Sequence, residues 1–347
     1  MIKAIALASG LALSTFGVAW ACGFHNYAPK PGIVDQMLSA ERIVLARADT
    51  ANPFRYAVTQ VLHGPAGDAG IPFLVDSTTR QKLSRMASDA VLFVTDPETG
   101  DWKRIAYVDS AMAPVLESIL TRLPAWRYGG DLERFQMFAD LVRHPDRQVR
   151  TLALRELDQA DYAVLSQLSL SLDVPTMAAR LGQTTERDLT PIRILLLGFS
   201  EDPLAQEIVQ TGMEANLAFA GLSLGPFATA YVEAFGVDAV GLFTGSLLAA
   251  PNVPMANKES LIEALAIHRQ SGDLALGHQI ITAVEDVLDA HPELAPLVAR
   301  QFGARHEWAF RHALAKALHA GTGFGEQDRL DVADYLAFAG LGGDPLQ

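Results

Sequence analysis

The sequence predicts an α+β protein: a small N-terminal β-barrel followed by a long region of paired helices that stack as an α-solenoid. Three observations carry that reading. Short segments rich in β-branched residues, separated by turn residues, fill the chain up to about residue 118. Near Pro124 the apolar spacing changes to the 3.6-residue period of helices. Half of the 347 residues are hydrophobic, core material for two domains. The expected organisation is a leader over 1–21, a β-rich domain over 22–123 and a helical domain over 124–347.

The leader is read from its charge and hydropathy. Lys3 precedes an uncharged apolar run over 4–20, and Ala19-Trp20-Ala21 stands directly before Cys22. A basic start, a short apolar stretch and small residues at the third and first places before the cut are the pattern of a secretory signal peptide. The mature chain is therefore expected to begin at Cys22 and to reside in the periplasm or outside the cell. A lipid anchor on Cys22 is the less favoured reading, because the places where such signals prefer leucine and a small residue hold Ala19 and bulky Trp20. Cys22 is the one cysteine, so no internal disulfide can form and an exported chain must hold itself together by packing.

Five short segments build the β-rich part. They are 41–48, 54–62, 71–75, 90–94 and the stretch bearing Trp102, Ile105 and Tyr107, which follows the turn Asp96-Pro97-Glu98-Thr99-Gly100 and suggests a hairpin. His63-Gly64-Pro65-Ala66-Gly67-Asp68 is turn chemistry between two of them. The order of features resembles the netrin-like OB domain of tissue inhibitors of metalloproteases: a leading Cys22, a strand ending Val44-Leu45-Ala46-Arg47, the 56–64 segment with its Val-Leu-x-Gly ending, the Val91-Leu92-Phe93-Val94 strand, and Trp102 before a closing strand. The likeness covers about 95 residues and implies an OB-like barrel. For Cys22 it implies an amine and carbonyl able to chelate a catalytic zinc. The family pins that cysteine with a disulfide, which this chain cannot make.

Metal is the alternative pin. Cys22-Gly23-Phe24-His25 supplies an amine, a thiolate and an imidazole, a soft donor set suited to zinc or copper(I). Two side chains are too few for a tetrahedral shell, so His63 or a partner's donor is expected to complete it. The competing reading makes Cys22 a cleavage-site residue and His25 an ordinary histidine, since a lone CxxH lacks the second ligand pair of zinc motifs.

Helices follow. Over 131–142 the residues Leu132, Phe135, Phe138, Ala139 and Val142 share one face. His144-Pro145-Asp146 breaks the helix and sets Asp146 to cap the next one. The stretch 148–157 resembles the second helix of a HEAT repeat, with the Asp-Pro-type turn, Val149-Arg150, Ala153 three later and Leu157 at the end; Glu156 falls where alanine is usual. Further pairs are expected over 191–198 with 205–211, 260–268 with 276–290, and 293–302 with 308–319, capped by 327–339. The pairing of such repeats with an exported β domain resembles bacterial envelope proteins and implies no activity.

Charge and motif searches narrow the function. Lys and Arg number 27 against 40 Asp and Glu, a net charge of −13, which disfavours nucleic acid and anionic lipid as partners. The segment 215–232 lacks charged residues and approaches the length of a membrane span, but Gly221, Gly225 and Pro226 interrupt it, so buried helices explain it better and no integral span is expected. Gly321-Thr322-Gly323-Phe324-Gly325 follows a helix and is read as a loop, not a phosphate cradle. No nucleophile elbow, zinc-protease helix or Walker loop is present. His306, His312 and His319 could line a pocket with Glu307 and Trp308; Asp161, Arg187 and Arg193 read as caps and structural ion pairs. The function expected is an exported binding or scaffold protein that takes a protein partner on its helical surface. The alternative is an envelope hydrolase built on the C-terminal histidines.

Overall fold

The computed structural model describes residues 29–65, 70–217, 223–271, 273–320 and 323–341. Its class is α+β. The strands are β1 (Ile43–Ala48), β2 (Tyr56–His63), β3 (Ala90–Thr95) and β4 (Trp102–Val108), paired antiparallel in the order β2-β1-β3-β4. Two short helices lie among them: α1 (Ile33–Ser39) and α2 (Ser77–Arg85).

The expected barrel is corrected by this sheet, which does not close. β2 and β4 each pair with one neighbour among the described residues, and both sheet faces are covered by helices. On one face Ile43, Leu92, Val94 and Val108 meet Val34 and Met37 of α1; on the other, Val44, Ala46, Val91 and Phe93 meet Leu83 of α2 with Ile71 and Val75. Alternate residues of β1 thus enter different cores, as the two-residue period of a strand requires. All six residues of β3 are buried because both faces are roofed. The segment 71–75, expected as a strand, contributes only an isolated bridge between Leu74 and Arg55; Pro72 has no N–H to give a ladder. Phe73 of that segment instead stacks its ring on Phe93, with centroids 5.8 Å apart.

The rest is helical: α3 (Met112–Trp126), α4 (Asp131–Ala139), α5 (Arg147–Leu157), α6 (Tyr162–Leu165), α7 (Val174–Ala178), α8 (Thr190–Gly198), α9 (Pro203–Leu217), α10 (Leu224–Phe235), α11 (Val237–Leu242), α12 (Met255–Ser271), α13 (Leu274–Ala290), α14 (Ala295–Gly303), α15 (Arg311–His319) and α16 (Glu326–Leu341). Asp146 caps α5 as expected, its carboxylate accepting from the amides of Gln148 and Val149. Phe135, Phe138, Ala139 and Val142 are buried, whereas Leu132, expected on the same face, is exposed. Asp161 stands at the N-cap of α6 without a side-chain cap bond.

Contacts run in succession from α5 to α8, α10, α12, α14 and α16, while α7 meets α9, and α11 meets α13, which meets α15. Close approach tightens this stack: a Cβ on Gly198 would lie 2.7 Å from the Ala230 Cα, so α8 and α10 touch where the sequence has only glycine and alanine. One core joins the sheet face, α1, α3 and the helices through to α16. The segment 215–232 falls on the end of α9 and on α10, most of whose residues are buried; no described helix is long and apolar enough to cross a membrane.

Candidate functional site

The chain is acidic overall, so a concentration of arginines is informative. A pocket of about 290 Å³ lies where the α4–α5 turn and α5 face α7, the 3₁₀ segment Thr184–Leu189 and α8. Arg143, Arg147, Arg150, Arg180 and Arg193 line it, with Asp173 and Glu186 as its carboxylates. Five guanidinium groups against two carboxylates leave a formal excess of three positive charges.

Each charge is placed by its element. Arg147 and Arg150 stand three apart on the first turn of α5, hence on one side of it. Arg193 comes from α8 and is 2% exposed; Arg180 follows α7. Glu186, on a non-helical residue of the 3₁₀ segment, receives three of the five. Its Oε1 accepts from Arg147 Nε at 2.9 Å and Nη2 at 2.7 Å, and its Oε2 faces the buried Arg193 guanidinium and Arg180 Nη1 at 3.5 Å. Burial raises the Glu186 carboxyl, but the bonds from Arg193 and Arg147 outweigh it and hold the group below its ordinary range. Burial lowers Arg193 from its usual value.

The other two arginines have no carboxylate within 4.0 Å among the described residues. Arg150 is oriented by the carbonyls of His144 and Pro145, at 2.6 and 2.7 Å, and Arg143 donates to Ser171 Oγ at 3.0 Å. Asp173 is engaged by the hydroxyl and amide of Thr176, which hold its carboxyl below the ordinary range, with Arg143 and Arg150 acting on it through space. Guanidinium forks anchored at one nitrogen and open at the others are fitted to carboxylate or phosphate oxygens.

Two further buried polar groups have structural rather than pocket settings. Glu156 is fully buried; it accepts from the Val34 amide at 3.1 Å and from Arg134 at 2.9 Å, while Arg134 also reaches Asp35 at 2.7 Å. Burial pushes the Glu156 carboxyl up more than Arg134 pulls it down. A Cβ on Gly32 would fall within 2.6 Å of Glu156 Cδ, so only glycine lets residues 32–34 lie on this carboxylate. The Tyr162 hydroxyl stands between the Glu233 carboxylate and His268 Nε2, the latter at 2.8 Å, while His268 Nδ1 meets the Ala264 carbonyl at 2.9 Å.

The residues singled out from sequence are scattered. Cys22 and His25 lie outside the described residues. His63 ends β2 at the sheet edge, exposed and opposite Ile43. No group of three metal-ligating side chains occurs among the described residues. His306, with φ 56°, sits in the turn after α14; His312 and His319 ride on α15; all three are exposed. Arg193 is the ion-paired residue that the sequence suggested. Sequence reading passed over Arg143, Arg147, Arg150, Arg180 and Glu186; the available signal was the density of three arginines within 143–150 of an acidic chain. No family model, curated protein or solved structure matches the chain.

Proposed function

We propose that this protein is an exported binding protein of the cell envelope whose arginine pocket grips the anionic part of a partner seated on its helical surface. The observation that carries the reading is the pocket's charge: three arginines share one carboxylate, and two more have none within ion-pair distance among the described residues. The alternation of α5, α8, α10, α12, α14 and α16 with α7, α9, α11, α13 and α15 supports reading the helices as a HEAT-like solenoid, a form that offers long surfaces to partners. The β part enters the proposal only as an open four-stranded antiparallel sheet. A zinc or copper(I) ion on Cys22 and His25 belongs to the same proposal as a second means of docking.

The test is calorimetric titration of the chain beginning at Cys22 with inorganic phosphate at low ionic strength. Binding that weakens with added salt and disappears in Arg143→Ala/Arg150→Ala supports the reading; unaltered binding in that variant, or no binding, overturns it. The hydrolase reading has no observation in its favour, since His306, His312 and His319 face outward.

A further inference from the structure

The geometry points to a doubly charged oxyanion as the ligand of the arginine pocket, bound in competition with Glu186, which occupies the cluster as a tethered carboxylate. This rests on the anion-binding reading of the pocket and goes on to name the charge of the ligand and the device that regulates its entry.

The charge follows from what remains after internal pairing. Glu186 can neutralise one of Arg147, Arg180 and Arg193, and Asp173 is bound to its own Thr176 cap at 3.1 Å to the amide. An anion with one negative charge leaves most of the excess in place; one with two negative charges balances it more fully and has oxygens enough for two forks. The volume of about 290 Å³ is roughly ten times the share of one water molecule in the liquid, room for a phosphate group or a short dicarboxylate with part of its carrier.

The competition follows from how unequally Glu186 holds its three arginines. Arg193 is buried, and it also points Nη1 at the carbonyls of Glu186 and Arg180, at 3.4 and 3.5 Å, so its place does not depend on solvent-exposed groups. Arg147 is the opposite: its side chain is 65% exposed, and its bond to Glu186 competes with water and with any incoming oxyanion. Arg180 is intermediate in exposure, and its contact with Glu186 is the longest of the three at 3.5 Å. A ligand arriving from solvent therefore takes Arg147 and Arg180 from Glu186 and adds Arg143 and Arg150, while the Arg193–Glu186 pair stays behind as the floor of the site.

Removing the tethered competitor should tighten binding. Glu186→Gln is expected to lower the dissociation constant for phosphate and for succinate by roughly tenfold, since Arg147 and Arg180 are then no longer held by the carboxylate and the fraction of molecules that offer them to a ligand rises. Because an amide in place of this carboxylate would leave Arg193 without a counter-charge, the paired variant Glu186→Gln/Arg193→Met is measured beside it. That variant takes away both members of the buried pair, the change such pairs tolerate best. Calorimetric titrations of wild type, both variants and Arg143→Ala/Arg150→Ala with phosphate, succinate and acetate decide the matter. Tighter phosphate or succinate binding in either Glu186 variant, with acetate weaker than both, supports the proposal. Equal affinity in wild type and both Glu186 variants overturns the role of Glu186 alone, and acetate binding as well as the dianions overturns the charge assignment. No binding of any anion to any of the proteins overturns the pocket reading on which the inference stands.

Discussion

Among single residues, Glu156 has the most at stake. A carboxylate with no exposed surface is tolerated because a backbone amide and a guanidinium meet its oxygens, and taking it away leaves Arg134 buried with only Asp35. Glu156→Ala should lose about 3–5 kcal/mol, the usual result of breaking a buried pair from one side, read as a lower denaturant midpoint at unchanged slope. Gly32→Ala should produce a related loss without removing a charge, because the new methyl collides with the same carboxyl group. Tyr162 has a milder part: Tyr162→Phe strips a hydroxyl from between Glu233 and His268, leaving the half-buried carboxylate and the buried ring less satisfied, at about 1–3 kcal/mol by the same measurement. Glu156 was also the residue whose anomaly could be seen in advance, a charge where a HEAT-type helix has alanine. What the charge met could not be read, since Val34 lies 122 positions away along the chain.

Whole elements differ in how openly the sequence declares them. β1, β2, β3 and β4 each carry β-branched residues bounded by turns, and the long helices repeat their apolar residues over enough turns to fix the period. α1 and α2, of seven and nine residues, fell below that threshold, and α2 has the low mean hydropathy of a helix that buries only Thr79 and Leu83. The run 71–75 misled in the other direction: apolar content made it resemble a strand, while Pro72 denied it a partner. The arginine pocket was not legible because its members come from α5 with its preceding turn, the end of α7 and α8, and only tertiary packing assembles them. The contact of α8 with α10 offers a test at this scale. Gly198→Val should destabilise the protein by about 1–3 kcal/mol, the cost of forcing side-chain atoms into a packed interface, and thermal unfolding should register it as a lower midpoint.

For the molecule as a whole, acid is the informative stress. Asp76, Asp173, Glu186, Glu233 and Glu259 are all held below the ordinary carboxylate range, Asp76 first by the Thr79 hydroxyl, Glu233 by bonds from His268 and Tyr162 that outweigh burial, and Glu259 by Arg300 against the same opposition. A depressed folded value means that the unfolded chain binds protons first as the pH falls. The stability these groups confer is therefore complete above pH 4.5 or so, their unshifted upper value, and is lost progressively below it. Denaturant midpoints should decline steeply below that point, while Glu156, whose carboxyl burial raises, acts in the opposite sense above it. Because one core runs from the sheet into the helices, a fragment ending at residue 123 should show no cooperative unfolding, having lost Trp126, Phe135 and Phe138 from the cluster that covers β3. The seating of Gly32 against Glu156 has one more consequence. Ten Cα-to-Cα steps lead from Cys22 to Gly32, and no covalent chain of that length spans more than about 35 Å. Under the docking proposed above for Cys22, whatever holds it would stand within that radius of the far end of α5, whose opening turn carries Arg147 and Arg150. That docking would moor the mouth of the pocket at a bounded height above its anchorage, the reach of those residues plus the roughly 16 Å length of α5, and a ligand displayed there would have to project no farther than that sum to be caught.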